Sequence, residues 1–81
     1  MKLFVTEPAG KDLRKLDKQT RERVEEALDR LLIHPDKVDV RKLQGKKDFW
    51  RLRIGDYRVI LRSEEENLFV MRVRHRREAY R

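Results

Sequence analysis

The sequence predicts an α+β fold with the element order β-α-α-β-β-β, in which a helical hairpin packs on a small, mainly antiparallel sheet. Two stretches near the N-terminus carry apolar residues at helical spacing. Three later stretches alternate between apolar and polar residues, as half-buried strands do, and a two-residue turn joins the first two of them. With 81 residues and no internal repeat, the chain is expected to form one domain over residues 1–81.

A short apolar run at residues 2–5 predicts the first strand. The Thr-Glu-Pro segment at 6–8 follows it and is typical of a helix start, because proline fits the first turn of a helix. Apolar residues then recur at positions i, i+4 and i+7, so we expect a short helix that ends near Lys18. These apolar positions are Ala9, Leu13 and Leu16.

The second helix is the most regular element of the sequence. Its apolar residues fall at i, i+3, i+4, i+7 and i+8, which places them on one face. Thr20 is the predicted N-cap, and the helix is expected to stop at His34, because the residue before Pro35 disfavours helical backbone. The apolar face consists of Val24, Ala27, Leu28, Leu31 and Leu32.

The second half of the chain predicts three strands, preceded by a polar connection over residues 36–47. Gly55 and Asp56 separate the first two strands and suit a type II′ turn, which takes glycine at its first central position. The predicted strands cover residues 49–54, 57–62 and 68–75.

A two-residue turn fixes the pairing of the strands that it joins, so Arg53 should lie opposite Arg58 and Leu52 opposite Val59. One face of this hairpin is then apolar and covers the helices, while the other is basic. The apolar face carries Trp50, Leu52, Ile54, Tyr57, Val59 and Leu61, and the basic face carries Arg51, Arg53, Arg58 and Arg62. In the last strand, alternation assigns Phe69, Met71 and Val73 to the core and Arg72 and Arg74 to the basic face.

The net charge of +7 lies entirely in the second half of the chain. Residues 1–40 hold nine Lys/Arg and nine Asp/Glu, whereas residues 41–81 hold thirteen Lys/Arg and six Asp/Glu. Arg53 opposite Arg58 disfavours the sheet by up to about 1 kcal/mol, because like charges repel across strands. Two guanidinium groups can, however, grip one phosphate. A merely solvated basic face is the alternative, and the convergence of so many arginines favours a surface for a polyanion.

The composition also argues against several classes of function. The chain has no cysteine, and therefore no disulfide, thiolate metal site or cysteine nucleophile. No acidic cluster or histidine pair stands out as a metal site, so neither a metal nor another cofactor is predicted. No apolar run approaches the roughly 18 residues of a membrane helix, and the apolar N-terminal stretch is too short for a secretory signal. We expect a cytoplasmic protein that works without a membrane.

Five segments carry a resemblance to a known family. They are residues 12–17 (Asp-Leu-Arg-Lys-Leu-Asp), 42–45 (Lys-Leu-Gln-Gly), 50–53 (Trp-Arg-Leu-Arg), 55–60 (Gly-Asp-Tyr-Arg-Val-Ile) and 75–81 (His-Arg-Arg-Glu-Ala-Tyr-Arg). In this order they resemble the RelE family of toxin–antitoxin systems over nearly the whole chain. The resemblance implies a RelE-like fold, cleavage of mRNA in the ribosomal A site, and a cognate antitoxin protein as inhibitor.

The resemblance also implies roles for individual residues. The family's catalytic positions fall on Arg51, Arg53, Arg58, Arg76 and Tyr80, with Arg77 as the other option for the position of Arg76. Some members carry lysines at the first two of these positions. The other basic residues predicted to bind RNA are Lys46, Lys47, Arg62, Arg72, Arg74, Arg77 and Arg81. The expected reaction is attack of the RNA 2′-hydroxyl on the adjacent phosphate, with the arginines stabilising the transition state.

Two other functions stay open. A ParE-like toxin would act on DNA gyrase and would not be a nuclease, and a non-catalytic module would bind RNA and leave it intact. Tyr80 could stack on a base or move a proton. His75 is a candidate acid or base, although its place in the alternation favours a structural role.

Overall fold

The computed structural model of the protein describes residues 1–79, and there a helical hairpin packs on a five-stranded sheet. The strands are β1 (Leu3–Val5), β2 (Asp39–Lys42), β3 (Phe49–Ile54), β4 (Tyr57–Glu64) and β5 (Asn67–His75). The helices are α1 (Glu7–Arg14), α2 (Lys18–Ile33) and the short α3 (Arg76–Ala79), with a 3-10 turn at Pro35–Lys37. The sheet order is β1-β5-β4-β3-β2, and only the β1–β5 pair is parallel among these strands. The predicted fold class is confirmed.

The turn between α1 and α2 differs from the prediction. α1 ends at Arg14 rather than near Lys18. The N-cap of α2 is Asp17 and not Thr20, because Asp17 Oδ1 accepts a hydrogen bond of 2.9 Å from the Thr20 backbone N–H. A carboxylate in this position satisfies a free N–H group and is also favoured by the helix dipole. The end of α2 ahead of the proline agrees with the prediction.

The polar connection predicted over residues 36–47 contains a strand that the sequence pattern did not reveal. β2 pairs antiparallel with β3 at the edge of the sheet. Val40 is its one apolar residue and packs against the core, while its neighbours Asp39 and Arg41 are exposed. A single apolar residue gives no measurable alternation, so this strand depends on pairing with its neighbour rather than on its own pattern.

The hairpin of β3 and β4 has the predicted register, with Leu52 opposite Val59 and Arg53 opposite Arg58. Gly55 has a φ of +56°, as the first position of the predicted turn requires. The apolar side of the hairpin joins α1 and α2 in the core. The buried core residues are Ala9, Val24, Leu28, Leu31, Leu52, Val59, Leu61, Leu68, Val70 and Val73.

The first half of β5 contradicts the predicted core assignment. Ile60 lies opposite Arg72 and Leu61 opposite Val70, so Met71 is an extra residue that bulges from the β4–β5 pair. The bulge reverses the alternation of the residues that precede it. Of the three residues assigned to the core, only Val73 is buried there; Phe69 and Met71 are replaced by Leu68 and Val70.

Candidate nucleic-acid interface

The strand register arranges the outer face of the sheet, opposite α1 and α2, in three rows, because residues that face each other on paired strands point to the same side. The arginine row, nearest the β3–β4 turn, is Asp39, Arg53, Arg58 and Arg74. The middle row is Arg41, Arg51, Ile60 and Arg72. The aromatic row, farthest from the turn, is Phe49, Arg62, Phe69 and Phe4. Cations therefore crowd one end of the face, and rings lie at the other.

Arg58 occupies the centre of the arginine row and is buried, with 4% of its surface exposed. Its Nη1 donates to the carbonyl oxygens of Tyr57 and Gly55, at 3.1 and 3.2 Å. Its buried Nε has no hydrogen-bond acceptor among the described residues. Burying a cation without a carboxylate destabilises a fold, since carbonyl groups repay only part of the lost hydration. A buried N–H donor without an acceptor in the described chain, such as this Nε, is suited to bind an anion.

Arg53 and Arg51 lie on β3 on the same face as Arg58. Arg53 is exposed and Arg51 half-buried, and neither makes an ion pair or side-chain hydrogen bond with another described residue. Asp39, the acid of the arginine row, is instead 3.5 Å from the Nε of Arg41. The charges of Arg51 and Arg53 are therefore not neutralised by ion pairing within the described chain.

The side chain of Arg72 turns away from the outer face to Asp12 of α1. Its Nε and Nη2 donate to the two carboxylate oxygens at 2.9 and 3.2 Å, and the Val73 backbone N–H donates to Oδ2 at 2.9 Å. Burial acts to raise the pKa of Asp12, but the hydrogen bonds from Arg72 and Val73 and the charges of Arg72 and Arg74 outweigh it, and the net pKa is lowered. Of the predicted RNA-binding residues, Arg72 is thus fixed in an ion pair that ties α1 to β5.

The C-terminal segment brings further cations to the β3–β4 turn. The Arg76 backbone N–H donates to Asp56 O at 2.6 Å, and its Nη1 lies 3.9 Å from Asp56 Oδ1. Arg76 and Arg77 are both exposed. Arg58 and Arg76 therefore contact the same turn, one through Gly55 and the other through Asp56. The remaining predicted site residues of this segment, Tyr80 and Arg81, lie outside the described residues.

His75 has the structural contacts that its place in the alternation favours. It lies opposite Tyr57, and the two rings meet edge to face with centroids 5.2 Å apart. Its Nδ1 accepts a hydrogen bond of 3.3 Å from the Arg77 backbone N–H. These contacts hold the ring between the hairpin and the start of α3.

Three of the predicted RNA-binding residues lie at the other end of the outer face. Lys46 Nζ is 5.7 Å from the ring centroid of Phe49, and the Arg62 guanidinium is 5.1 Å from that of Phe69. Lys47 lines a shallow cavity with Phe49 and Arg62. The sequence reasoning missed the aromatic residues here, because it assigned Phe69 to the core. The signal that identifies Phe49 is its pairing with Arg62, which follows from the predicted register of the β3–β4 hairpin. The pairing of Phe69 with Arg62 depends on the bulge in the β4–β5 pair.

The arrangement is suited to binding and polarising a phosphate. Arginines remain protonated in proteins and offer several N–H donors in a fixed geometry. Clustered guanidinium groups can therefore bind and orient a phosphate, but they do not transfer protons themselves. Among residues 1–79, no three or more His, Asp or Glu side chains come together as a metal site. No helix in the described part of the chain is long and apolar enough to cross a membrane.

Comparison with known proteins identifies the family. The model of a family described as the ParE toxin of type II toxin–antitoxin systems, parDE, matches residues 3–80. The chain belongs to this family. It is accordingly a toxin of a type II toxin–antitoxin system, within the RelE/ParE superfamily that the sequence resemblance indicated. The curated toxin RelE3 of Methanocaldococcus jannaschii is 27% identical over 84 residues, which cover 99% of this chain and 96% of that protein.

Solved structures agree with this assignment. The RelB–RelE antitoxin–toxin complex from Methanococcus jannaschii matches with a TM-score of 0.83 and 22% identity, covering 95% of this chain and 94% of that chain, which is a likeness of fold. The archaeal RelE–RelB complex from Pyrococcus horikoshii OT3 matches with a TM-score of 0.77 and 30% identity, covering 93% of each chain. The toxin therefore has a RelE-like fold.

Proposed function

We propose that this toxin is an endoribonuclease that cuts mRNA in the ribosomal A site, by attack of the RNA 2′-hydroxyl on the adjacent phosphate. The observation that carries the proposal is Arg58, which lies buried between Arg53 and Arg74 and whose Nε has no acceptor among residues 1–79. The opposed like charges of Arg53 and Arg58 weaken the sheet. A phosphate bound at the arginine row would offset the repulsion between the cations. The transition state carries more negative charge than the substrate, so the arginines would stabilise it more strongly.

The bonds that form and break at phosphorus all lie within the RNA. The 2′-oxygen attacks phosphorus and loses its proton, the bond from phosphorus to the 5′-oxygen breaks, and that oxygen takes up a proton. The products are a 2′,3′-cyclic phosphate and a 5′-hydroxyl end. Negative charge grows on the non-bridging oxygens, so preorganised donors stabilise the transition state more than the substrate.

We assign each arginine a role in the cleavage reaction from its position on the outer face. Arg58 stabilises the developing charge, with Arg53 and Arg76 beside it and Arg51 orienting the backbone of the RNA. Because Arg58 rests on the turn carbonyls, it must move outward, or its surroundings must open, for its Nε to meet a phosphate. Arginine does not release its proton near neutral pH, so the proton transfers fall to another group. Tyr80 is our candidate, in agreement with the resemblance to RelE.

The same surface explains how an antitoxin would act. The RelE proteins of the solved complexes are each bound to a RelB antitoxin. We propose that a cognate antitoxin binds this toxin through a helical or extended segment and masks or distorts the arginine row. Acidic side chains would complement the uncompensated charges of Arg51 and Arg53.

Programmed ribosomes test the proposed reaction. The purified toxin is mixed with ribosomes that carry a defined mRNA, and new ends are mapped by primer extension. We expect cuts within the A-site codon, and about a 100- to 1,000-fold slower cleavage by Arg58→Ala, the usual effect of removing one such donor. Arg14→Ala removes an equal charge from an exposed position on α1 and should leave the rate unchanged.

An intact mRNA with a folded wild-type toxin would contradict the proposal. One alternative then has support of its own, since the matching family is named for ParE. A ParE-like toxin would trap DNA gyrase on cleaved DNA and would do so equally well with Arg58→Ala. RNA that is bound but never cut would instead identify a non-catalytic RNA-binding module.

A further inference from the structure

The aromatic row lies on the outer face and has no role in the proposed cleavage reaction. Phe4 and Phe69 stack with ring centroids 5.2 Å apart and an interplanar angle of 21°. Phe4 is 43% exposed, although a core lies on the opposite side of the same sheet. The bulge at Met71 sets this arrangement, because it turns Phe69 outward to meet Phe4 and Arg62. Phe49 and Phe69 are half-buried, so the three rings form one partly accessible apolar group, and grouped apolar surface marks binding sites more often than single exposed residues do.

Cations lie over two of the three rings. Arg62 is 5.1 Å from the centroid of Phe69, and Lys46 is 5.7 Å from that of Phe49. Arg62 also sits between Phe69 and Phe49 in the row, and its Nη1 forms an ion pair with Glu64, 2.9 Å from Oε2. A ring, a planar cation and a second ring thus follow one another across three strands.

This chemistry suits an unpaired nucleobase. Bases stack on aromatic rings and on guanidinium planes, while neighbouring cations hold the phosphates that link them. The row also lies on the same face as the arginine row. Phe49 and Arg53 are four residues apart on β3, or about 13 Å at the rise of a strand, a distance that a few nucleotides of single-stranded RNA bridge.

We propose that the aromatic row binds unpaired bases of the same RNA strand whose phosphate lies at the arginine row. This inference rests on the proposed function and adds a base-binding subsite to it. The cations over the rings favour RNA as the occupant over an apolar protein segment, since such a segment would have to desolvate Lys46 and the ion pair of Arg62 with Glu64. Stacking is tolerant of base identity, so the subsite contributes affinity and alignment more than sequence preference.

RNA binding without cleavage tests this subsite. The probe is a short single-stranded RNA with 2′-O-methyl groups throughout, which removes the nucleophile, and its affinity is measured by fluorescence anisotropy. The double variant Phe4→Leu/Phe69→Leu keeps apolar side chains but loses both rings, and it should bind about tenfold more weakly. Ile33→Ala, which alters an exposed apolar residue at the end of α2, serves as the matched control and should bind as the wild type does.

Two further readouts separate stacking from charge and from unfolding. The double variant should keep the salt dependence of binding, because no phosphate contact is lost, whereas Arg62→Gln should reduce the slope by about one ion. Wild type should bind an abasic strand of equal length about as weakly as the double variant does. Thermal denaturation of each variant verifies the fold.

An affinity that is equal in wild type and double variant, with both folded, overturns the inference. If ribosomal cleavage is nonetheless observed, the proposed reaction survives without this subsite. If the double variant loses affinity and no cleavage is seen with wild type, the subsite stands and the proposed reaction fails. An affinity that is the same for the abasic and the complete strand also overturns the inference, since the row would then touch no base.

Discussion

The two faces of the sheet are formed by the same strands, but their residues have opposite effects on the stability of the fold. On the inner face, Leu52 and Val59 lie opposite each other and are fully buried against the helices. One residue nearer to the β3–β4 turn on each strand, Arg53 and Arg58 lie opposite each other on the outer face, with a third arginine, Arg74, beside them. The inner pair stabilises the fold, whereas the opposed like charges of Arg53 and Arg58 are unfavourable for it. A cluster of residues that lowers the stability of a small domain indicates that the face carrying it has a function.

The largest difference between the faces should appear when neighbouring residues of β3 are truncated. Leu52→Ala removes a fully buried side chain and should lower the free energy of unfolding by about 2–5 kcal/mol. Arg53→Ala, at the next position but on the exposed side, should change it by no more than about 0.5 kcal/mol. Urea denaturation measures both. Equal losses would mean that the outer face is part of the structural framework.

The ion pair that ties α1 to β5 should have the next largest effect. Asp12→Ala removes the carboxylate that accepts hydrogen bonds from Arg72 and from the Val73 N–H, and it should lower the free energy of unfolding by about 1.5–3 kcal/mol, the usual value for hydrogen bonds to a charged group. Urea denaturation at neutral pH measures this loss, and an exposed carboxylate variant such as Glu25→Ala is the control.

The same ion pair predicts a dependence on pH. The pKa of Asp12 is lower in the folded protein than its ordinary value of 3.8, so its carboxylate stabilises the fold above that value. This contribution is lost as pH falls through the folded pKa. The stability difference between wild type and Asp12→Ala should therefore be constant near neutral pH and shrink below about pH 4. A difference that instead grows on acidification would show that Asp12 is not the acceptor.

A smaller effect should come from reversing one charge in the arginine row. Arg53→Glu places a carboxylate opposite Arg58 and should raise the free energy of unfolding by a few tenths to about 1 kcal/mol. The same variant should cleave mRNA poorly, because the added carboxylate repels the phosphate. Arg53→Gln separates the loss of a cation from the gain of an anion. A destabilised Arg53→Glu would show that the cations do not repel each other in the folded toxin.

The sequence was sufficient where local geometry is unambiguous. A glycine-first two-residue turn leaves one register for β3 and β4, and the alternation on both sides agrees with it, so the core face and the opposed arginines were predictable. The first half of β5 was not, because residues 68–71 are all apolar and the position of the bulge cannot be read from them. β2 has one apolar residue and gave no pattern of its own.

The candidate site was predictable in its residues more than in its geometry. Sequence pairing brought Arg53 and Arg58 together, but it placed Arg58 on the surface, since a cation without a carboxylate is rarely buried. Arg72 was assigned to the basic face because the sequence cannot reveal that Asp12, sixty residues away, accepts its hydrogen bonds. Both differences depend on contacts between elements that are distant along the chain.

Arg58→Met tests most directly whether the arginine row serves function rather than folding. Methionine is apolar and replaces the aliphatic part of the buried side chain, and replacing buried charged groups by apolar ones is often neutral or stabilising. Urea denaturation and ribosomal cleavage are measured on the same preparations. We predict an unchanged or higher free energy of unfolding together with the loss of A-site cuts. A variant that unfolds as readily as Leu52→Ala yet still cuts mRNA would contradict this, since Arg58 would then be a structural residue.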